Sequence, residues 1–154
     1  MQRVRAATVT VGDERIAAIE RGLVVLVGVA RTDTALDGEK LAGKIGSLRV
    51  FDDERGHLHH TVADIGGAIL AVPQFTLFGD IRRGRRPDFT AAADPETGRR
   101  LFDAFCGVLR GTGLRVENGR FGALMRVVID ADGPVTIVAT TDGWPEAELG
   151  AGRA

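Results

Sequence analysis

Residues 72–78, Val-Pro-Gln-Phe-Thr-Leu-Phe, carry groups that are suited to acyl chemistry. They follow an apolar stretch typical of a buried strand, and if that strand continues, Gln74 and Thr76 lie on one face of it. Gln74 can donate and accept hydrogen bonds, Thr76 offers a hydroxyl, and the amides of Phe75 and Thr76 can stabilise an oxyanion. The residue types alone favour the plainer interpretation, which is a surface amide and an ordinary strand threonine.

A basic loop follows this segment. Arg82, Arg83, Arg85 and Arg86 place four guanidinium groups within five residues, more than the nearby carboxylates can pair. Arginine binds phosphate oxygens through two parallel hydrogen bonds, so the loop predicts a contact with a phosphate backbone. A merely solvated surface loop is the alternative.

A Gly-Pro pair stands near the end of the chain, at Gly133 and Pro134, and is followed by Val135 and Thr136. Proline at the start of a strand costs no ladder hydrogen bond, and the pattern is compatible with a rigid turn before the last strand. The sequence does not determine whether the Gly133–Pro134 bond is cis or trans. A plain turn is the alternative interpretation.

Histidine and cysteine predict neither a metal site nor a nucleophile. His57, His59 and His60 lie close together, but no cysteine, histidine or carboxylate completes a ligand set at motif spacing. A solvated polar hairpin is therefore favoured. Cys106 lies within a predicted helix among apolar residues, which indicates a buried structural thiol. We expect no metal and no cofactor.

The elements that must position these groups are short and are punctuated by glycine. A Gly-Asp turn at 12–13 predicts a hairpin, and the apolar run 23–29 predicts a strand buried on both faces. An α+β fold is expected, with mainly antiparallel, barrel-like sheets and two helices. The predicted strands span 8–11, 15–20, 23–29, 48–51, 67–72, 114–117, 124–129 and 135–140, with a polar loop at 52–61, and the predicted helices span 34–46 and 94–111.

Composition indicates one globular domain. The 20 basic and 21 acidic residues leave a formal net charge of −1, so any nucleic-acid partner has to be inferred from local clusters. We find no signal peptide and no apolar run of about 20 residues, and we expect a soluble cytoplasmic protein with no membrane partner. Residues 1–141 are predicted to form the domain and 142–154 a flexible tail.

These segments together resemble the D-aminoacyl-tRNA deacylase family. Any one of the matching pieces is weak, but seven in the same order identify the chain as a member. The resemblance extends from the N-terminus to about Thr140. The matching pieces are residues 2–4, 23–29, 48–51, 74–78, 84–87, 119–125 and 133–136.

The resemblance implies a homodimer that hydrolyses the ester of D-aminoacyl-tRNA, and also of glycyl-tRNA. In the family the Gly-Pro bond is cis and reaches into the partner's active site. Gly133 and Pro134 would there present carbonyls to the α-amino group and leave no room for an L side chain, with Val135 and Thr136 beside them. Pro73 and the catalytic segment 74–76 would form the other wall, next to the terminal adenosine, whose 2′-hydroxyl assists hydrolysis. The arginine loop would hold the tRNA acceptor end.

Two positions depart from the family pattern. Pro73 stands where the family has serine before the glutamine, and Ala131 stands where it has asparagine before the Gly-Pro pair. A sister group with proline at the first position tolerates L-alanine. Two alternatives therefore stay open: a deacylase of relaxed chirality that acts on small L-aminoacyl-tRNA, and a non-catalytic RNA-binding homologue.

Overall fold

A curled, mixed sheet carries two helices, and a small separate hairpin completes the fold. A computed structural model describes residues 1–142. The main sheet has six strands in the order β2-β1-β3-β6-β7, with β8 paired to β1, while β4 and β5 form the hairpin. The strands are β1 Gln2–Val11, β2 Glu14–Ile19, β3 Gly22–Val27, β4 Phe51–Asp52, β5 Leu58–His60, β6 Ala68–Pro73, β7 Arg115–Asn118 and β8 Arg126–Thr136, and the helices are α1 Ala35–Ser47 and α2 Pro95–Gly111.

Strand β1 organises the antiparallel half of the sheet. Along one edge, residues 7–11 of β1 pair with β2 and residues 2–4 pair with β3. The two pairings share one register, since Ala7 lies opposite Ile19 and Val4 lies opposite Gly22. Along its other edge it pairs with β8. Strand β3 also pairs with β6, so the backbones crowd at Gly22, where a Cβ atom would stand 1.9 Å from the Ala68 carbonyl oxygen. Only glycine fits this crossing.

Strands β3, β6 and β7 are parallel to one another, which the sequence did not predict, although antiparallel pairs predominate as expected. The connections explain the direction. Helix α1 and the hairpin separate β3 from β6, and helix α2 separates β6 from β7, so each parallel pair has a helical crossover. The continuous apolar runs of β3 and β6 suit strands that are covered on both faces.

Two apolar clusters cover those faces. Leu23 and Val25 of β3 point toward the helices and pack in one cluster with Phe102 and Phe105 of α2. Val24, between them in sequence, points the other way into a second cluster shared with β1 and β2. This alternation follows from the two-residue period of a strand. The sheet is thereby fixed from both sides, which gives the ends of β3 and β6 a rigid position.

Both helices and strand β2 were predicted within one residue, whereas β1 begins at Gln2, well before the strand predicted at 8–11. Helix α1 begins after Thr34, whose side chain and backbone interact with Asp37 in a capping box. Helix α2 begins after Asp94, whose carboxylate accepts from the amides of Glu96 and Thr97. No helix within residues 1–142 has both the length and the hydropathy to cross a membrane.

Four predicted elements were wrong. The strand at 48–51 is reduced to Phe51–Asp52, and the expected loop at 52–61 contains its partner strand, Leu58–His60. The two strands predicted at 124–129 and 135–140 are one strand, Arg126–Thr136, because β1 pairs along its length through two register shifts. Polar residues interrupt the apolar pattern there without interrupting the ladder. The predicted tail lies, apart from residue 142, outside the described residues.

Candidate active site

Strand β6 ends at Pro73, and the chain then turns sharply. The Gln74 amide donates to the Val27 carbonyl oxygen at 2.8 Å, which ties the ends of β6 and β3 together. Residues Phe75–Phe78 form a 3-10 turn, so Gln74 and Thr76 do not share a strand face as predicted. The turn brings them together differently, because the Gln74 Nε2 atom donates to the Thr76 hydroxyl.

The turn leaves two amides available. The Leu77 amide donates to the Gln74 carbonyl at 3.4 Å, and the Gly79 amide donates to the Thr76 carbonyl at 3.1 Å. The amides of Phe75 and Thr76 precede these bonds and have no acceptor within the described part of the chain. The first amides of any helical turn lack an intrahelical partner for the same reason. Two adjacent free donors can together bind one oxyanion.

A cavity of about 330 Å³ lies directly against this turn. Its walls come from the ends of β3 and β6, from residues 89–93, from the start of α2 and from the turn at 121–122. Gln74 is the one polar side chain among the lining residues that the structure describes, and none of them is ionisable. The cavity is therefore suited to an uncharged, largely apolar group. A second pocket, between α1 and β3, holds only about 40 Å³.

Aromatic rings form much of the cavity wall. Phe75 and Phe89 meet edge to face, with ring centroids 5.2 Å apart, so the segment after the basic loop is attached to the 3-10 turn. Phe121 packs at a tilt against Phe102 of α2, with centroids 6.4 Å apart. Rings from three distant segments thus converge on one space, which suits a planar ligand.

The Gly133–Pro134 segment lies elsewhere in the chain. Its peptide bond is cis, and it belongs to β8 rather than to a turn before a strand. Both residues are exposed, and none of residues 133–136 lines the cavity. The structure therefore brings together residues 73–76, but it does not bring residues 133–136 to them within one chain.

Arg3 anchors the base of this segment. Its side chain is only 6% exposed, and it donates to the Asp132 carbonyl oxygen at 3.2 Å and to the Val50 carbonyl oxygen at 3.0 Å. It also forms a salt bridge with Asp52 at 3.0 Å. Thr136 donates its hydroxyl to the Gln2 side chain. The exposed segment is thus held by a buried charge on β1.

The comparisons with known proteins decide the family. A family model described as D-Tyr-tRNA(Tyr) deacylase matches residues 1–140. The chain belongs to this family. A D-aminoacyl-tRNA deacylase of Thermus aquaticus is 49% identical over 145 residues, which are 94% of this chain and 95% of that protein. One of Chloroflexus aurantiacus is 53% identical over 138 residues, 90% of this chain and 86% of that protein.

Solved structures agree with the D-Tyr-tRNA(Tyr) deacylase fold. The structure of a c-Myc DNA Unwinding Element Binding Protein has a TM-score of 0.82 at 45% identity and covers 88% of this chain and 93% of that one. A probable eukaryotic D-amino acid tRNA deacylase has a TM-score of 0.74 and covers 86% of this chain and 92% of its own. At 19% identity, the second similarity shows the fold alone.

The basic loop of this D-Tyr-tRNA(Tyr) deacylase family member is exposed at all four arginines. Reciprocal backbone bonds between Asp80 and Asp88, at 2.8 and 2.9 Å, close the loop at its base. The Nε and Nη2 atoms of Arg82 donate to the Asp80 carboxylate, and these hydrogen bonds lower the pKa of Asp80. Within residues 1–142, the other three arginines have no carboxylate partner. They are the arginines of the loop that are available to an external anion.

The histidines and the cysteine lie away from the cavity. His57, His59 and His60 belong to the β4–β5 hairpin, and no group of three metal-ligating side chains occurs in residues 1–142. Cys106 is buried, as predicted, and burial raises the pKa of its thiol to about 11. A protonated thiol of this kind is a packing residue and a poor nucleophile.

Sequence reasoning missed several residues of the cavity. Phe121 lies in a segment that carried part of the family resemblance, but no role was assigned to it. Phe102 and Gly98 of α2 were not singled out either. Their common signal is spatial, since they approach the 3-10 turn from segments far away along the chain.

Proposed function

We propose that this chain hydrolyses the ester bond of D-aminoacyl-tRNA and releases the D-amino acid and the tRNA. The family assignment and the names of relatives about half identical over nearly the whole chain support this reaction. The observation that carries it is the apolar cavity placed directly against a turn with two free amides. Such an arrangement can hold an acyl ester without a charged side chain.

The turn supplies the electrostatic part of the chemistry. With the ester carbonyl oxygen at the amides of Phe75 and Thr76, both amides donate to the oxyanion that forms when water attacks the carbonyl carbon. The bond between that carbon and the ribose 3′-oxygen then breaks. Because none of the described lining residues is ionisable, the proton transfer is assigned to the substrate itself. The ribose 2′-hydroxyl next to the ester accepts the proton of the attacking water and passes its own proton to the departing 3′-oxygen. Gln74 orients the Thr76 hydroxyl beside the reacting group.

The terminal adenosine fits the cavity. Every tRNA ends in adenosine, and an apolar space walled by Phe75, Phe89 and Phe121 offers its base a stacking surface. The three unpaired arginines of the loop at Arg83, Arg85 and Arg86 would meet the phosphates of the acceptor end, with Arg82 as a weaker contributor because Asp80 already binds it.

A second copy of the chain would complete the site. Within residues 1–142, strand β8 pairs with β1 along one edge and has no partner on the other, and Val128 and Ile129 are 49% and 38% exposed. A partner covering this strand would receive Gly133 and Pro134 in its own cavity. There the backbone carbonyls would bind the α-amino group and exclude an L side chain, while glycine and D-amino acids fit.

Pro73 supports one competing candidate, a deacylase of relaxed chirality. Proline has neither the amide nor the hydroxyl that serine would place at this point of the cavity wall. Its Cδ atom lies against Gly119, where an added Cβ atom would stand 3.3 Å away. The wall is therefore shaped differently from the usual family pattern, and the chirality of the site has to be measured.

The test is deacylation of D-tyrosyl-tRNA, glycyl-tRNA and L-alanyl-tRNA by the purified protein, side by side. Hydrolysis of the first two alone is the expected result. Hydrolysis of L-alanyl-tRNA as well would establish the relaxed enzyme. Hydrolysis of none, with tRNA still bound, would leave an RNA-binding homologue and refute the proposed activity.

A further inference from the structure

Phe121 forms one wall of the cavity and reaches it from a tight turn. The Ala123 amide donates to the Arg120 carbonyl oxygen at 3.2 Å, and Gly122 has a φ of +75°, which glycine adopts readily. The turn fixes the backbone of Phe121 but not its ring. The position of the ring depends on what it packs against, and that surface is helix α2.

Gly98 provides a notch in α2 for the ring. It is buried, and a Cβ atom at this position would stand 3.2 Å from the Phe121 Cζ atom, closer than an ordinary van der Waals contact. Glycine weakens a helix interior, and at Gly98 the absence of a side chain is used by the closely approaching ring. Gly107 on the same helix differs, because nothing lies within 4 Å of a Cβ atom added there.

Arg99 covers the same ring from the next position. Its guanidinium carbon lies 5.0 Å from the ring centroid of Phe121, and its Nη2 atom donates to the Phe121 carbonyl oxygen at 3.4 Å. The first contact is a cation–π interaction and the second binds the backbone of the same residue. Ring and backbone are therefore held by one side chain, and the ring so held forms part of the cavity wall.

We propose that Gly98 and Arg99 are positioning residues that hold the Phe121 ring as the stacking wall for the base of the terminal nucleotide. This inference rests on the proposed function of the cavity. Neither residue touches the ester, so their loss weakens nucleotide binding and raises KM, while kcat changes little. A role in stability alone would instead lower the unfolding midpoint and leave nucleotide affinity unchanged.

The experiment measures the Kd of adenosine by titration calorimetry, together with kcat and KM for D-tyrosyl-tRNA. Adenosine carries no phosphate, so a change in its Kd cannot come from a lost phosphate contact. The variant Arg99→Met removes the charge and keeps the length of the side chain, and Arg99→Lys restores a cation above the ring. Arg100→Met is the matched control on the next, exposed arginine of α2.

Arg99→Met is expected to raise the Kd of adenosine about fivefold and Arg99→Lys about twofold, from the usual strength of a cation–π contact. Gly98→Ala is expected to raise it about threefold by displacing the ring. Gly107→Ala, which adds the same methyl group to the same helix in open space, and Arg100→Met are expected to leave it unchanged.

Equal adenosine affinity in Arg99→Met and Arg100→Met would overturn the inference, and so would equal affinity in Gly98→Ala and Gly107→Ala. A wild-type protein that hydrolyses D-tyrosyl-tRNA without binding adenosine would overturn it as well and leave the proposed reaction standing. If the wild type binds adenosine but does not hydrolyse the ester, the proposed reaction fails, and the Kd comparison still decides the role of Gly98 and Arg99.

Discussion

The two segments assigned to the substrate differ in how far a single chain completes them. Residues 73–76 lie where β6, a strand buried on both faces, ends, and residues 73–75 line a cavity closed by other parts of the same chain. Residues 133–136 are held from behind by Arg3 but line no cavity in the described chain. Under the proposed function this difference would be a division of labour, in which each chain builds its own base and ester site and lends residues 133–136 to a partner.

The strongest way to break this comparison is to prevent a second copy from covering β8. In Ile129→Asp, pairing of the two copies would bury an unpaired carboxylate, which is strongly unfavourable. We expect a monomer by light scattering and a loss of about a hundredfold in D-tyrosyl-tRNA turnover, since the substrate is no longer oriented. Leu36→Asp, at an exposed position on α1, is the control. A wild-type protein that is monomeric and fully active would contradict the proposed division of the site between two copies of the chain.

The anchoring of residues 133–136 is tested by Arg3→Met. We expect the free energy of unfolding to fall by about 3 kcal/mol, because the change strips a buried charge from two carbonyls and from Asp52. Arg5→Met is the matched control, since Arg5 contacts Asp132 from a side chain that is 74% exposed. Urea denaturation gives both values. Similar losses of unfolding free energy in the two variants would show that the buried contacts of Arg3 stabilise the protein no more than the exposed contact of Arg5.

The basic loop beside residues 73–76 is tested by a triple variant in which Arg83, Arg85 and Arg86 are each replaced by glutamine. We expect tRNA affinity to fall more than tenfold and the slope of log Kd against log salt to decrease by about two, near 0.7 for each lost single-strand phosphate contact. Arg82→Gln alone should have a smaller effect because Asp80 already pairs with Arg82. Filter binding at several salt concentrations measures this. An unchanged slope in the triple variant would remove the loop from the interface.

The 3-10 turn at Phe75–Phe78 is tested by Thr76→Ala. The change removes the hydroxyl that Gln74 binds and leaves both free amides in place, so we expect kcat to fall about tenfold, the value of one neutral hydrogen bond. Single-turnover deacylation of D-tyrosyl-tRNA measures it. Thr90→Ala, in the neighbouring loop, is the control. A loss as large as that of Ile129→Asp would mean that the hydroxyl acts directly on the ester.

The smallest effect is expected at Cys106. Burial raises the pKa of this thiol to about 11, with the charge of Asp103 acting in the same direction and that of Arg110 against it. The thiol therefore stays protonated from pH 6 to 9, and N-ethylmaleimide should leave turnover unchanged across this range. Mass spectrometry of the native protein would show it unmodified. Rapid alkylation with loss of activity would place a reactive thiol in the machinery.

Local signals explain which parts of the fold were predictable. Asp94 and Pro95 fix the start of α2 within a few residues of sequence, and the apolar period of the helix does the rest. The continuity of β8 depends instead on pairing with β1, more than a hundred residues away, so an apolar pattern broken near Asp130 was misread as two strands. Parallel pairing of β3 with β6 is equally non-local.

The same limit applies to the site. Gln74 and Thr76 were singled out because they are neighbours in sequence, but the prediction that they share a strand face was wrong, since the chain turns at Phe75–Phe78. Phe121 and Gly98 reach the cavity only through the fold. Neither a phenylalanine nor a glycine carries a reactive group, so these residue types alone do not indicate a functional site.

The crossing at Gly22 has a consequence for how this protein can change over time. The backbones of β3 and β6 meet there with no side chain between them, so the spacing of the parallel and antiparallel halves is set by main-chain atoms. Any larger residue at this position would push the Ala68 carbonyl aside and shift β6 relative to β3. Glycine at position 22 is therefore a requirement that changes in the apolar clusters cannot replace, and we expect selection to keep its codon.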